Sequence, residues 1–383
     1  MTQLRILMAS ALLLAAAAAD RAEARGADDV VLVTDGQRTL SVSDLLANDE
    51  RLLDATVELV GDADGATVEL SPDGRFVTVI LKPDVDLATF QYRPWGFGTS
   101  SPASEVLLVR ADDWWPIVGR WPTAECPTPY SCGSPYGCDV GAGSEIGWFH
   151  IPTGRFRLCD FTGEAVTSCV DVFPPVDGRP WLPVVADLDG DGWDEIGVSD
   201  PTSGEVKLFT VDHDRCVTKP MECVAAAHQA QVLPGSLVAA GDWDSDGDET
   251  LAFYHQRFGY SLADPDSLYM ASPAVADAPG FPLATSYSGV EAMAVWQPSK
   301  AHFLIFPNHP GVGYRTVSME RAWGEEEPGP VRGVPFAMPA AACSEEQLLG
   351  LYHAEGNRLV LRSSHGSEPV VHVCVPVDPD GPG

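Results

Sequence analysis

The chain has 383 residues, 45% of them hydrophobic and 20% charged, with a formal net charge of -32 at pH 7. That hydrophobic content excludes wholesale disorder, and so acidic a surface repels nucleic acid and anionic lipid. Gly 36 and Pro 32 suit many short strands joined by tight turns better than a helical protein.

At the start, Arg5 precedes an apolar run from Ile6 to Ala19, and Ala22-Glu23-Ala24 has the small-residue spacing that signal peptidases accept. Ala17 and Ala19 offer an alternative cut. The run is shorter than the roughly 20 residues a membrane span needs. A cleaved signal peptide over residues 1–24 is expected, with a secreted, cell-surface or periplasmic location. No later stretch approaches about 18 uninterrupted apolar residues, so no transmembrane segment is expected in the mature chain. The 9 cysteines include no C-x-x-C pair, which in an exported chain points to disulfides rather than thiolate metal sites.

Residues 28–111 alternate short apolar strands with turns. Val30-Val31-Leu32-Val33, Thr67-Val68-Glu69-Leu70 and Phe76-Val77-Thr78-Val79-Ile80 are separated by Asp35-Gly36 and Asp73-Gly74. Those dipeptides enter positive φ at little cost and suit hairpins. A last strand over Glu105 to Arg110 leads into Asp112-Asp113-Trp114-Trp115. The zone reads as a β-sandwich that folds as its own unit. Asp44-Leu45-Leu46-Ala47-Asn48-Asp49, Gly65 to Leu70, Asp73-Gly74-Arg75-Phe76 and Phe90-Gln91-Tyr92 resemble the bacterial Ig-like, cadherin-like repeats of tandem surface proteins. The departures are Val77-Thr78-Val79, where an aromatic is usual, and Pro94-Trp95-Gly96, where an acidic turn is usual.

Residues 114–377 repeat. Glu145-Ile146-Gly147-Trp148 corresponds to Glu195-Ile196-Gly197-Val198, and Gly154-Arg155-Phe156-Arg157-Leu158 to Gly204-Glu205-Val206-Lys207-Leu208. Weaker copies run from Leu251 to Leu262, Met293 to Leu304 and Leu349 to Leu361. A near-constant hairpin inside a variable period is the mark of blade repeats, because the pleat sets the hairpin while surface loops absorb insertions. The expected fold is all-β: an N-terminal Ig-like sandwich followed by a β-propeller of about five blades.

Asp187-Leu188-Asp189-Gly190-Asp191-Gly192-Trp193-Asp194-Glu195 crowds carboxylates whose mutual repulsion a cation would relieve. Alternate acids in a tight turn converge on one point, and Gly190 and Gly192 permit the turn. Calcium takes six to eight hard oxygens at flexible angles. The expected ligands are Asp187, Asp189, Asp191 and the carbonyl of Trp193, with Asp194 or Glu195 closing the shell. Asp242-Trp243-Asp244-Ser245-Asp246-Gly247-Asp248-Glu249 repeats the arrangement, with Asp242, Asp244, Asp246, the Asp248 carbonyl and Glu249 as ligands. An EF-hand is excluded, since its closing Glu position holds Val198 or Phe253 and the flanks are strand-like. Both loops resemble the DxDGDxxDE calcium loops of FG-GAP (VCBS-type) propeller repeats, and Gly241-Asp242-Trp243-Asp244 is especially typical. In the first copy Gly119-Arg120-Trp121 aligns with Gly241-Asp242-Trp243, so Arg120 stands where a ligand would. Its fixed guanidinium, with an insertion carrying Cys126, Cys132 and Cys138, is expected to replace calcium there.

Cys159 with Cys169, Cys216 with Cys223, and Cys343 with Cys374 fall where they could each bridge neighbouring strands. The 9 histidines show no zinc spacing, and no nucleophile elbow, Walker loop or dinucleotide fingerprint appears. Trp121 and Trp243 align with Leu188 and read as core; Trp193 sits in a loop. The leading expectation is an exported, calcium-binding, non-catalytic binding or adhesion protein with a protein or carbohydrate ligand. The alternatives are a secreted polysaccharide-active enzyme on a propeller scaffold, or a structural envelope or matrix component.

Overall fold

The computed structural model describes residues 29–46, 56–83, 85–96, 99–100, 103–111, 114–121, 145–161, 166–212, 219, 223–243, 248–255, 259–262, 280–287, 290–307, 315–319, 333–339, 347–353, 358–363 and 371–374. The expected signal peptide and the insertion with Cys126, Cys132 and Cys138 lie outside them. Most described residues are in strands, and no described helix is long and apolar enough to cross a membrane.

The first zone forms two facing sheets. One has β1 (Asp29–Val33), β8 (Ser104–Arg110), β6 (Leu87–Gly96) and β3 (Thr56–Asp64) in that order, with β7 (Thr99–Ser100) on β6; the other has β2 (Gln37–Ser41), β5 (Phe76–Leu81) and β4 (Ala66–Leu70). Asp35 (φ 54°) and Gly36 (φ 66°) make the expected turn between β1 and β2. A single helical turn, α1 (Val42–Leu45), follows β2; Ser41 Oγ caps it by accepting the Asp44 N–H at 3.1 Å. Val31, Val33, Leu40, Val77, Val79 and Leu108 pack between the sheets. The single Tyr92 hydroxyl proton is shared between Asp29 Oδ2 and the Leu45 carbonyl, each 3.1 Å away.

β1 and β8 pair in parallel, and both are buried on two faces. Val30, Leu32, Leu107 and Val109 point away from the sandwich core into a second apolar cluster with Trp115, Ile117 and Phe281. The continuous apolar run from Val30 to Val33 fits that burial on both sides.

The second zone is five antiparallel sheets in sequence. The first holds β9 (Trp114–Gly119), β10 (Glu145–His150), β11 (Arg155–Phe161) and β12 (Val166–Val172); the second β13 (Leu182–Ala186), β14 (Glu195–Asp200), β15 (Glu205–Val211) and β16 (Val224–Gln231). The third shows β17 (Ser236–Gly241), β18 (Thr250–His255) and β19 (Gly259–Leu262) among the described residues. The fourth holds β20 (Phe281–Tyr287), β21 (Val290–Gln297), β22 (His302–Pro307) and β23 (Arg315–Ser318). The fifth holds β24 (Val334–Pro339), β25 (Gln347–His353), β26 (Arg358–Ser363) and β27 (Val371–Cys374).

Each repeat hairpin read from the sequence is the second and third strand of a sheet, with Gly197 opposite Leu208 and Gly350 opposite Leu361. The first strands touch in cyclic order: β9 meets β13, β13 meets β17, β17 meets β20, β20 meets β24, and β24 meets β9. Trp121 and Trp243 are core residues, as expected from their alignment with Leu188. The sandwich lies against the ends of the sheets away from the acidic loops, since β6 touches the short 3-10 turn Pro298–Lys300 between β21 and β22.

Candidate metal centre at the junction of three sheets

The first acidic loop joins β13 to β14. Gly190 (φ 72°) and Gly192 (φ 93°) take the left-handed backbone that the tight turn requires. Folding back this way, the loop aims its own N–H groups at its acids. Asp191 N–H donates to Asp189 Oδ1 at 3.2 Å, Gly192 N–H to Asp187 Oδ2 at 2.9 Å, and Trp193 N–H to Asp191 Oδ1 at 2.8 Å. Leu188 N–H donates to Glu195 Oε2 at 3.0 Å.

Carboxylate oxygens of Asp187, Asp189 and Glu195 lie within 4.8 Å of one another. Asp187 and Glu195 are buried and Asp189 is exposed, so the cluster opens to solvent on one side. Asp187 Oδ1 is buried with no hydrogen-bond partner. Burial pushes the Asp187 carboxyl up, against the opposing pull of the Gly192 N–H and Arg120. Burial, followed by the nearby charges of Asp189, Asp191 and Asp187, pushes Glu195 up to about 7. An orphaned buried carboxylate oxygen beside two more acids is costly as it stands. An all-oxygen donor set of this kind fits a hard divalent cation.

Asp194 has a different task from the one its spacing suggested. Its N–H donates to the Arg120 carbonyl at 2.7 Å, and its Oδ2 accepts the Arg120 N–H at 2.8 Å. One sheet further on, Glu249 N–H donates to the Asp187 carbonyl at 2.7 Å and Glu249 Oε2 accepts the Asp187 N–H at 3.3 Å. In both places the eighth residue of a loop grips the first residue of the equivalent loop in the preceding sheet. Of the two residues expected to close the first shell, Glu195 therefore sits with Asp187 and Asp189, while Asp194 is committed to the neighbouring sheet. Glu249, expected as a ligand of the second loop, is directed at Asp187.

Arg120 completes the junction. Its Nη2 lies 3.3 Å from Asp194 Oδ1 and 3.5 Å from Asp187 Oδ2. Burial pulls the guanidinium pKa down, but Asp194, Glu249 and Asp187 together leave it raised. Burial pushes Asp194 up, opposed by Arg120; burial and then the Asp194 charge push Glu249 up. The sheets come close here because residue 119 is glycine. A Cβ on Gly119 would collide with the Trp121 ring and lie 2.9 Å from Asp194 Oδ2.

Of the second loop, Asp242, the half-buried residue equivalent to Asp187, is described together with Asp248 and Glu249. Asp244 and Asp246 lie outside the described residues. Cys159 and Cys169 form the expected disulfide, directly opposite each other on β11 and β12. Cys223 is disulfide-bonded too; Cys216, Cys343 and the Cys374 side chain lie outside the described residues. The reciprocal inter-sheet bonds were not read from the sequence. Their only signal is an acid at position eight in both loops, one residue before the strand.

No family model matches the chain, and no curated protein matches it. An auxiliary nutrient binding protein from Bacteroides ovatus is 10% identical with a TM-score of 0.37, over 92% of this chain and 86% of that one. A DUF4784 family protein from Bacteroides caccae is 8% identical with a TM-score of 0.23, over 92% of this chain and 95% of that one. Likenesses this distant carry no argument about fold or function.

Proposed function

We propose that the chain is an exported, calcium-stabilised, non-catalytic binding protein whose five sheets are the blades of a propeller of FG-GAP (VCBS) type, preceded by an Ig-like domain. The cyclic contact order of β9, β13, β17, β20 and β24 supports the propeller. The Cys159–Cys169 disulfide supports an oxidising compartment. The observation that carries the calcium reading is the cluster of Asp187, Asp189 and Glu195 around an orphaned buried oxygen of Asp187. Those three residues would hold the ion; Asp191, also expected as a ligand, instead accepts the Trp193 N–H and is not grouped with them. The ion would neutralise charge that folding gathers between three sheets, so its work is structural. A face of loops from several blades would then meet a protein or carbohydrate ligand.

Calcium titration of the whole chain by calorimetry tests the first half: saturable binding with a matching rise in melting temperature is expected. An unchanged melt in calcium and in chelator would remove the site. Screening against glycan and protein arrays tests the second half.

One observation favours a polysaccharide-active enzyme instead. Glu195, pushed up to about 7, has the pKa of a general acid. Against it, Glu195 is buried and already accepts the Leu188 N–H. Release of reducing ends from a polysaccharide panel, lost in Glu195→Gln, would establish the enzyme reading.

A further inference from the structure

Outside the acidic loops, one part-buried arginine has no acid within ion-pair distance among the described residues. Arg93, Arg110, Arg120, Arg155, Arg157 and Arg179 are all part-buried, and each has a carboxylate oxygen within 4.0 Å. Arg38, on β2, is part-buried as well and has no such partner among the described residues. In a chain with 55 Asp and Glu against 23 Lys and Arg, acids are not scarce, so the vacancy is a matter of placement. One edge of the guanidinium is anchored, Nη1 donating to the Leu32 carbonyl at 2.5 Å. The residue lines a cleft between the sandwich and the second and third sheets.

That cleft has a volume of about 390 Å³, within the range of small-molecule sites, which favour such junctions between units. Leu40 and Leu45 form its wall on the sandwich side, and Leu233 and Pro234 on the other. Asp44 stands exposed at the rim. It is more than 4.0 Å from Arg38, yet near enough to act on the guanidinium: burial lowers the Arg38 pKa, while Asp200 and Asp44 oppose the fall. Asp29, on the same wall, holds the Tyr92 hydroxyl. Arg38, Asp44 and the leucines thus bring a positive group, a nearby negative group and apolar surface to one cleft.

We propose that this cleft binds a small apolar zwitterion, an α-amino acid with a hydrophobic side chain. Its carboxylate lies on the Arg38 guanidinium, its ammonium faces Asp44, and its side chain rests on Leu40, Leu45 and Leu233. An arginine fork suits a carboxylate, and charge-assisted bonds are the strong ones. Asp44 opposes a bare anion and Arg38 a bare cation. No cleft residue belongs to the acidic loops, so this site stands independently of the calcium reading.

Calorimetry on the full chain in calcium tests it, with leucine and phenylalanine as probes. Two truncated probes accompany them: 4-methylpentanoate, which lacks the ammonium, and isoamylamine, which lacks the carboxylate. Leucine and phenylalanine are expected to bind saturably, tighter than about 1 mM. Each truncated probe, and leucine with Arg38→Gln, is expected to bind at least about tenfold more weakly, the equivalent of about 1.4 kcal/mol. Asp44→Asn alters an exposed residue and carries little folding risk. It should weaken leucine similarly and leave 4-methylpentanoate no weaker, which decides the matter if Arg38→Gln fails to fold. Absence of saturable leucine and phenylalanine binding, or equal binding of leucine and 4-methylpentanoate, overturns the proposal. A melting curve with and without calcium on the same sample separates the two readings. An intact calcium response with no ligand binding sinks only the cleft, and ligand binding without a calcium response sinks only the metal site.

Discussion

Glu249 and Asp187 exchange two hydrogen bonds across a sheet boundary, the Glu249 N–H to the Asp187 carbonyl and the Asp187 N–H to the Glu249 carboxylate. Asp194 and Arg120 make the same exchange one boundary earlier. The first acidic loop is thus clamped by both neighbours, and whatever neutralises Asp187 acts on three sheets at once.

Asp189 is the exposed member of the cluster, so its removal tests the cation with little damage to packing. A ligand that binds only the folded state adds about 2.7 kcal/mol at 100 times its dissociation constant. Asp189→Ala should lose most of that gain in calcium and melt like the parent chain in EDTA. Calorimetric titration should show weaker binding as well. Equal melting of parent and variant in saturating calcium would exclude Asp189 as a ligand.

Arg120→Ala leaves the buried Asp187 and Asp194 without their cation. Breaking a fully buried pair costs about 3–5 kcal/mol. The Arg120 side chain is 38% exposed, and water screens part of the loss, so about 2 kcal/mol is expected. Denaturant melts should show the deficit with and without calcium, and it should shrink at low pH as the acids protonate. A deficit that vanishes in calcium would mean the ion and the guanidinium are interchangeable.

The pH dependence in chelator follows from the raised acids. A carboxyl whose folded pKa lies above its unfolded value gives stability that is whole below the unfolded pKa, about 4.3 for Glu. That stability is lost as pH rises through the folded value, about 7 for Glu195. Asp187, Asp194 and Glu249 shift in the same direction. Thermal melts in EDTA should therefore fall between roughly pH 5 and 8. With calcium the fall should flatten, since the ion binds the deprotonated acids. A chelator profile that rises over this range would show that the junction is not the controlling set.

Leu32 points from β1 into the cluster shared with the sheets, not into the sandwich. Leu32→Asn should cost the whole chain about 2–4 kcal/mol, as for other buried leucines cut down. In residues 28–111 alone the same change removes exposed apolar surface and should improve solubility. Light scattering and melts of both forms check this. A parent segment that is monomeric and melts cooperatively would show that it needs no partner face.

Some of this was legible in one dimension because the physics is local. Hairpins such as Ile196 to Leu208 are set by the pleat period and a tight turn, so their spacing appears directly in the chain. The convergence of Asp187 and Asp189 likewise follows from alternate residues around Gly190 and Gly192, and Cys159 and Cys169 sit at a spacing that one hairpin brings face to face. What only the tertiary structure decided depends on which surfaces meet. Asp194 and Glu195 are adjacent acids with equal claim on a cation; the packing of the first sheet, admitted by Gly119, turned Asp194 to Arg120 and left Glu195 at the cluster. Val30 and Leu32 found their place only when the sandwich met the sheets, and that meeting also placed Arg38 at the cleft, without an ion-pair partner among the described residues. Periodicity reports what one element does with its own backbone, whereas burial against a distant element is decided by long-range packing that no spacing along the chain encodes.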